Sequence, residues 1–270
     1  MPLAIVAKGY WNAIRDPIVR TAKVAVENWP AGEPPLKVLL LSDVHVAGPD
    51  MPPERLSRIV ASLNRLKPDL VLIAGDLVSE KRLATHIYSA VEVTAPLGSF
   101  QSRLGTVAML GNHDHWFDPA AIEAGLRKAG LTMLKNEAIA RGPLIIGGVD
   151  DDFSGHDDVS ATFAAMDALP HAPRIVLTHS PDIVPDLPSP IAAVFTGHTH
   201  CGQIVLPFIG PLSSVSRYGG RFGCGDIKDK GPKGFYQRVF VGAGLGTSLL
   251  PLRYGAPPDV WLVTLQAARK

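Results

Sequence analysis

The strongest constraint on the fold of this chain is a repeated pattern in which a short apolar run ends in a polar cluster. The runs LKVLLL (36–41) and LVLIA (70–74) have the length and the branched side chains of buried strands. Between them, residues 53–66 place leucine, isoleucine and valine at helical spacing, which predicts an amphipathic helix. A strand, a helix and a second strand in this order predict parallel pairing within a covered sheet.

Five polar clusters follow such apolar runs: SDVH (42–45), GD (75–76), GNHDH (111–115), TH (178–179) and GHTH (197–200). In sheets with parallel strands, sites form beyond the carboxyl ends of the strands. The clusters are therefore predicted to converge on one crevice. If the strands run on through these clusters, Asp43 and His45 share a face, as do His198 and His200, because side chains alternate along a strand.

Each cluster alone has an ordinary structural explanation. A histidine after a strand, such as His179, is commonly a hydrogen-bonded core residue, and Gly-Asp is commonly a turn. The whole set, however, would bury costly polar groups at the same relative position in every case. We therefore predict a metal site, and carboxylate, imidazole and amide ligands favour Mn, Fe or Zn over Mg. The two cysteines, Cys201 and Cys224, form no CxxC pair, so a thiolate zinc site is not indicated and a disulfide is left open.

The composition of the chain indicates which classes of binding partner and which cellular location to expect. Lys and Arg total 26 against 25 Asp and Glu, so the charge balance gives no indication of nucleic-acid binding. Hydrophobic residues make up 46% of the 270 residues, enough for a sizeable core. No apolar run has the length of a membrane span, and no complete signal peptide is recognised. We expect a cytoplasmic or peripherally membrane-associated protein, with no support for export.

Residues 1–35 are expected to form an N-terminal arm, and residues 36–270 the main domain. The arm carries four side chains suited to a bilayer surface: Ile5, Tyr10, Trp11 and Ile14. The arm is expected either to pack on its own domain or to make peripheral contact with a membrane.

The succession D-x-H, GD, GNHD, H and GHTH resembles the calcineurin-like metallophosphoesterase superfamily, over about residues 36–265. GHTHCGQIVLPFIGP, SRYG and GTSLLPLRYG are also similar to a bacterial branch typified by cell-wall-associated, twin-arginine-exported phosphodiesterases. The resemblance implies an α/β fold, a four-layer α-β-β-α sandwich with a dinuclear metal site at the carboxyl ends of its strands.

The resemblance further implies two divalent metal ions per chain and seven ligands: Asp43, His45 and His200 for one ion, Asn112, His179 and His198 for the other, and Asp76 bridging both. His113 would face the substrate, where it can either donate a proton to the leaving oxygen or stabilise charge on the equatorial oxygens. Asp114 either orients His113 or stabilises a turn.

The expected reaction is hydrolysis of a phosphodiester or pyrophosphate bond by a hydroxide held between two metals. A phosphomonoesterase, a non-catalytic metal-binding scaffold and a mononuclear amidase or lactonase are the alternatives. The apolar stretch after GHTH suggests a substrate with an apolar or lipid-like group. Four residues there are candidate substrate contacts: Phe208, Arg217, Tyr218 and Arg221. The two arginines would either grip a phosphate or form surface ion pairs.

Overall fold

The computed structural model describes residues 2–188, 191–230, 234 and 236–268. The strands of its first sheet are β1 (Ile18–Val26), β2 (Leu36–Leu41), β3 (Leu70–Ala74), β4 (Thr106–Met109), β5 (Thr132–Met133) and β14 (Asp259–Ala267). Their spatial order is β1-β14-β2-β3-β4-β5. Strands β2, β3, β4 and β5 run parallel, while β14 is antiparallel to β2 and parallel to β1. The carboxyl ends of β2, β3 and β4 therefore lie side by side at one edge.

The second sheet is built from β6 (Glu137–Arg141), β7 (Leu144–Val149), β8 (Arg174–Thr178), β9 (Ala193–Thr196), β12 (Gly225–Lys230) and β13 (Tyr236–Val241). Their order is β12-β13-β9-β8-β7-β6, with β7, β8, β9 and β13 parallel. A small separate hairpin pairs β10 (Val205–Leu206) with β11 (Gly210–Pro211). Here too, neighbouring strands present their carboxyl ends at one edge.

The helices are α1 (Pro2–Ile14), α2 (Pro53–Asn64), α3 (Ala90–Thr94), α4 (Asn112–Phe117), α5 (Pro119–Lys128) and α6 (Val159–Asp167). Helix α2 starts with a proline, which needs no backbone hydrogen bond in the first turn, and buries Leu56, Ile59, Val60 and Leu63. Helix α5 is capped by Asp118, whose carboxylate accepts a hydrogen bond from Ala121 N at 3.0 Å.

The core lies on both faces of each sheet. Leu144 and Ile146 of β7 belong to the large cluster shared with the first sheet, whereas Ile145 and Val149 belong to a second cluster. Phe163 of α6 covers that second cluster. The apolar face of α2 packs on the opposite side of the first sheet. The result is the predicted order of layers, helix, sheet, sheet and helix.

The predicted strands at 36–41 and 70–74 have the bounds found in the structure, and the helix predicted from residue 53 is present. Helix α3 is short and begins at Ala90, with Ser89 as its N-cap. The division at residue 35 stays a prediction. In the structure, β1 from this stretch pairs with β14 along its whole length.

Candidate metal centre

The predicted ligands lie where five parallel strands end. Asp43 follows β2, Asp76 follows β3, and Asn112 follows β4 in the first sheet. His179 follows β8, and the GHTH segment follows β9 in the second sheet. Because the two sheets face each other, these segments meet at one end of the sandwich. Every one of the seven predicted ligands is buried there.

The backbone that presents these side chains is unusual. Asp43, His45, Asp76, His198 and His200 have φ between 47° and 68°, in the left-handed region that non-glycine residues seldom adopt. Such strain is typical of functional sites held by the surrounding fold. Strand β2 ends at residue 41 and β9 at residue 196. The strands therefore do not run on through the D-x-H and H-x-H pairs, and left-handed turns present these side chains instead.

Two histidine rings direct their Nε2 atoms into the cluster. His45 Nδ1 lies 3.0 Å from Val78 O, and His179 Nδ1 lies 2.7 Å from Ala74 O. Carbonyl oxygens only accept, so Nδ1 carries the proton in each ring and a neutral ring has its lone pair on Nε2. His179 Nε2 faces Asn112 Oδ1 at 3.2 Å and Asp76 Oδ2 at 3.2 Å, both acceptors.

Further ring nitrogens and carboxylates converge across the cluster. His45 Nε2 lies 3.0 Å from His200 Nε2 and 3.5 Å from Asp76 Oδ2. His200 Nε2 is 3.4 Å from Asp43 Oδ1. His198 Nε2 is buried with no hydrogen-bond partner among the described residues. This close gathering of imidazole nitrogens and carboxylate oxygens in the interior suits a divalent metal.

Electrostatics favour the forms of these residues that bind metal. Burial lowers the pKa of His198 to about 3, and the charge on His179 acts in the same direction. Burial likewise holds the pKa of His45 and His200 well below the ordinary value. Burial opposes charge on His179 as well, but the Asp76 carboxylate raises the pKa of His179 well above its ordinary value. Neutral imidazole is the ligating form, and a bound cation would displace the His179 proton.

Three overlapping groups of side chains could each hold a metal ion, with all ligand atoms of a group within 4.8 Å of one another. They are Asp43 with His45 and His200, Asp43 with Asp76 and His179, and His45 with Asp76 and His113. Asp43, His45 and Asp76 each belong to two of these groups, so the groups alone do not single out a bridging ligand. The third group also places His113 beside the cluster, so its assignment to the substrate stays a prediction.

Asp114 has a structural role in this loop. Its Oδ1 accepts hydrogen bonds from the backbone amides of Leu77 and Val78 at 2.9 and 3.1 Å, and its Oδ2 accepts from Gly111 N at 2.9 Å. His113 Nδ1 is buried without a hydrogen-bond partner among the described residues. The orienting contact from Asp114 to His113 is therefore not formed, and Asp114 instead ties the loop after β3 to the start of α4.

A cleft of about 360 Å³ opens above the cluster of predicted ligands. Asp76, Asn112, His113, His198 and His200 lie at its polar end. Its apolar wall consists of Trp116, Phe153, Ile204, Leu212, Val215, Leu249 and Leu250. None of the described residues that line it is Lys or Arg. The cleft thus offers a metal-binding floor beside an apolar wall.

The four predicted substrate contacts do not line this cleft. Phe208 is fully exposed at the tip of the β10–β11 hairpin. The Arg217 side chain pairs with Asp152 at 2.9 Å. Arg221 pairs with Asp229 at 2.7 Å and lies over the Phe222 ring. The ion-pair alternative therefore describes both arginines. Tyr218 packs edge-on against Phe222, with its ring centroid 5.8 Å away.

Several wall residues were missed because they stand in loops with polar or glycine-rich sequences. Phe153 lies within the acidic run DDDFSGHDD, yet its ring centroid is 4.5 Å from that of His198. Leu249 and Leu250 follow a glycine-rich turn and have no strand or helix pattern around them. A large apolar residue in such a loop was the sequence signal that could have identified these wall residues. Another unpredicted residue, Arg253, is fully buried behind His200 and donates to Ala243 O at 2.7 Å.

The two cysteines form a disulfide, Cys201–Cys224, next to the last predicted ligand. It closes a loop that contains Ile204, Leu212 and Val215 of the cleft wall. The disulfide thus ties this wall to the metal centre.

A model of the calcineurin-like phosphoesterase family matches residues 36–202. The chain belongs to this family. The matched segment runs from the start of β2 through the GHTH block, so it contains every predicted ligand.

Relatives in this phosphoesterase family match nearly the whole chain. The uncharacterized metallophosphoesterase YkuE of Bacillus subtilis is 28% identical over 96% of this chain and 90% of its own length. An uncharacterized metallophosphoesterase of Aquifex aeolicus is 31% identical over 96% of both chains. A transmembrane protein with metallophosphoesterase domain from Bos taurus is 32% identical, and the match spans 96% of this chain but only 60% of the bovine protein.

Among solved structures, a 5'-nucleotidase precursor from Thermus thermophilus matches 85% of this chain and 55% of its own length, with a TM-score of 0.44 and 14% identity. Within the described residues of this phosphoesterase, no helix has both the length and the apolar character needed to cross a bilayer.

Proposed function

We propose that this chain is a dinuclear metal-dependent phosphoesterase that hydrolyses a phosphodiester or pyrophosphate bond. The observation that carries the proposal is the gathering of imidazole nitrogens and carboxylates at the floor of an apolar cleft. Family membership supports the phosphate ester as the substrate class.

Asp43, His45 and His200 would hold one ion, and Asn112, His179 and His198 the other. Asp76 Oδ2 lies within 3.5 Å of His45 Nε2 and 3.2 Å of His179 Nε2, one ligand from each set. This position between the sets supports Asp76 as the bridging ligand. Bound divalent metals would activate the attacking water and neutralise charge on the phosphoryl oxygens.

His113 is placed to serve the leaving group. Its backbone amide donates to Asp76 Oδ1 at 2.9 Å, which fixes the residue beside the bridging carboxylate. Its ring packs edge-on against Trp116, with centroids 5.1 Å apart, so the ring stands between the metal floor and the apolar wall. From there it can donate a proton to an oxygen that leaves toward the wall.

The cleft supports a diester more than a monoester. A monoester dianion is best bound by cationic side chains, and the described lining residues include neither Lys nor Arg. The second substituent of a diester or a pyrophosphate can contact Trp116, Leu249 and Leu250. Binding energy from that remote group can orient the phosphorus over the floor.

A paired assay tests the proposal. An aryl phosphodiester and its matching monoester are assayed with Mn, Zn, Fe or Mg after removal of bound metal. We expect metal-dependent hydrolysis with higher kcat/KM for the diester. A preference for the monoester at saturating metal would replace the diesterase proposal with a phosphatase, and absence of hydrolysis with every metal would refute a phosphoesterase.

A substitution of Asp76 tests its assignment as the bridging ligand. Asp76→Ala is expected to stay folded, to bind less metal per chain and to lose activity. His171→Ala removes an exposed histidine outside the cluster and serves as the matched control, with metal content and rate as in the wild type. Full metal content and wild-type turnover in Asp76→Ala would refute the bridging position.

The disulfide bears on location. Stable disulfides are typical of oxidising compartments, so Cys201–Cys224 supports an extracytoplasmic protein, as in the exported branch that the sequence resembles. This favours export over the cytoplasmic location expected from the sequence. Thiol labelling of the protein after acid quenching of intact cells should find both cysteines unreactive. Two reactive thiols would argue for a reducing compartment.

A further inference from the structure

Three neighbouring segments expose large apolar side chains to solvent, and two of them reach the mouth of the cleft. We call them the apolar rim, which consists of Leu3, Ile5, Val6 and Trp11 of α1, Phe208, Ile209 and Leu212 of the hairpin segment, and Leu249 and Leu250 of the loop before β14. Trp11 is 69% exposed and Phe208 is completely exposed. A folded protein seldom leaves this much apolar surface in one region without a binding partner.

Hydrogen bonds join the three segments into one region. Arg253 N donates to Gly9 O at 3.0 Å, and Asn12 Nδ2 donates to Arg253 O at 3.1 Å, so α1 is fixed to the loop before β14. The hairpin is fixed to the same loop, because Val205 N donates to Tyr254 O at 2.8 Å and Gln203 Nε2 donates to Leu250 O at 3.0 Å.

Apolar side chains of α1 reach solvent on more than one side of the helix. Gly9 and Ala13 are buried, and a Cβ at position 9 would overlap the Tyr254 ring, so this side of α1 faces the domain. Trp11 lies two residues after Gly9, which places it on the opposite side of the helix. Ile5 and Val6 lie on the same side as Gly9, one turn earlier, yet they are 59% and 51% exposed.

The charges of the rim indicate its partner. Residues 2–15, 203–225 and 244–258 contain no Asp or Glu. Lys8 and Arg15 are exposed at α1, and the exposed Asp16 follows directly after Arg15. Apolar and aromatic side chains beside a small excess of basic ones suit the interface of an anionic lipid bilayer. A hairpin tip that projects a fully exposed Phe208 also suits insertion between headgroups.

We propose that the apolar rim docks this protein on the surface of an anionic lipid bilayer. Leu212, Leu249 and Leu250 belong both to the rim and to the wall of the cleft, so the docked face contains the cleft mouth. A lipid-borne phosphodiester or pyrophosphate would then reach the metal floor while the lipid chains stay in the apolar phase of the bilayer. This consequence for the substrate rests on the proposed function, whereas the docking itself does not.

Sedimentation with vesicles tests the docking. The full chain is mixed with vesicles of phosphatidylcholine alone, or of equal parts phosphatidylcholine and phosphatidylglycerol. We expect clear binding to the mixed vesicles, weaker binding to phosphatidylcholine, and a decrease with added salt. The double variant Trp11→Ser/Ile209→Ser should bind the mixed vesicles at least about tenfold more weakly than the wild type. It removes two apolar side chains that docking would bury in the bilayer.

The matched control is Tyr236→Ser/Leu83→Ser, which removes an exposed aromatic and an exposed aliphatic residue outside the rim and should bind as the wild type. Hydrolysis of a water-soluble aryl diester by both double variants should equal that of the wild type, which shows that they fold. Vesicle binding without any hydrolysis would refute the proposed function and leave the docking intact.

Equal vesicle binding by the wild type and the rim variant would overturn the proposal, as would no binding by the wild type. Light scattering supplies the remaining outcome. A wild-type dimer that becomes monomeric in Trp11→Ser/Ile209→Ser, without vesicle binding, would identify the rim as a contact between two copies of the chain instead.

Discussion

At the scale of single residues, His113 separates two accounts of the centre. It lies in one candidate metal group with His45 and Asp76, yet it also lines the cleft. We predict that His113→Ala retains the wild-type metal content and lowers kcat by roughly 10²–10⁴-fold, the usual contribution of a general acid. Metal analysis and steady-state kinetics on the same preparation measure both effects.

A series of leaving groups sharpens the His113 prediction. Substrates whose leaving oxygen is weakly basic need no proton, so the loss in His113→Ala should shrink for them. An equal loss for good and poor leaving groups would assign His113 to charge stabilisation. A fall in metal content would make His113 a ligand and contradict the role proposed for it.

At the scale of local elements, the turn after β9 leaves no space for a side chain at position 197. A Cβ on Gly197 would overlap the carboxylate of Asp43 and the side chain of Ser42. We predict that Gly197→Ala displaces Asp43 and weakens metal binding by at least tenfold, measured by titration of the metal-free protein. Gly220→Ala is the matched control, since a Cβ there meets nothing within 4 Å. Unchanged metal affinity in Gly197→Ala would contradict the prediction and show that the turn can move to accept a side chain.

The Cys201–Cys224 disulfide joins residues 23 positions apart. Closing a loop of this length stabilises a fold by about 3 kcal/mol. We predict that Cys201→Ser/Cys224→Ser lowers the free energy of unfolding by about this amount. We also expect a higher KM for apolar diesters, because Ile204 and Leu212 lose a restraint. Urea unfolding with and without dithiothreitol measures the first effect, and the double variant should not respond to the reductant. A wild-type protein that is equally stable with and without dithiothreitol would contradict the predicted loss of stability.

The sequence predicts the elements that are built from local pattern. Strands β2 and β3 are apolar runs with sharp polar ends, so their bounds can be read directly. The polar clusters identify the ligands because burial of so many polar groups needs a common cause. The left-handed turns at Asp43 and His198 could not be predicted, since only contacts from both sheets hold a non-glycine residue there. The ion pair of Arg217 with Asp152 joins residues far apart in sequence, and local pattern carries no signal for it.

At the scale of the whole molecule, the first sheet depends on its last strand. Strand β14 lies between β1 and β2 and pairs with both, from Ile18↔Asp259 on one side to Leu265↔Leu36 on the other. We predict that a chain ending at Pro258 does not reach the native fold, because two strand edges lose their partner. Circular dichroism and dye binding to exposed apolar surface measure this. A chain ending at Ala268 is the control, and cooperative unfolding of the shorter chain would contradict the prediction.

The central position of β14 has a consequence for how the protein is made. During translation, β1 and β2 leave the ribosome early, but the strand that fits between them is synthesised more than two hundred residues later. Until then the backbone groups along those two edges have no native partner, and such edges favour pairing with other chains. The ligand loops after β2, β3 and β4 are therefore complete while their sheet is still open, so nascent chains of this protein are expected to need a chaperone until β14 has been synthesised.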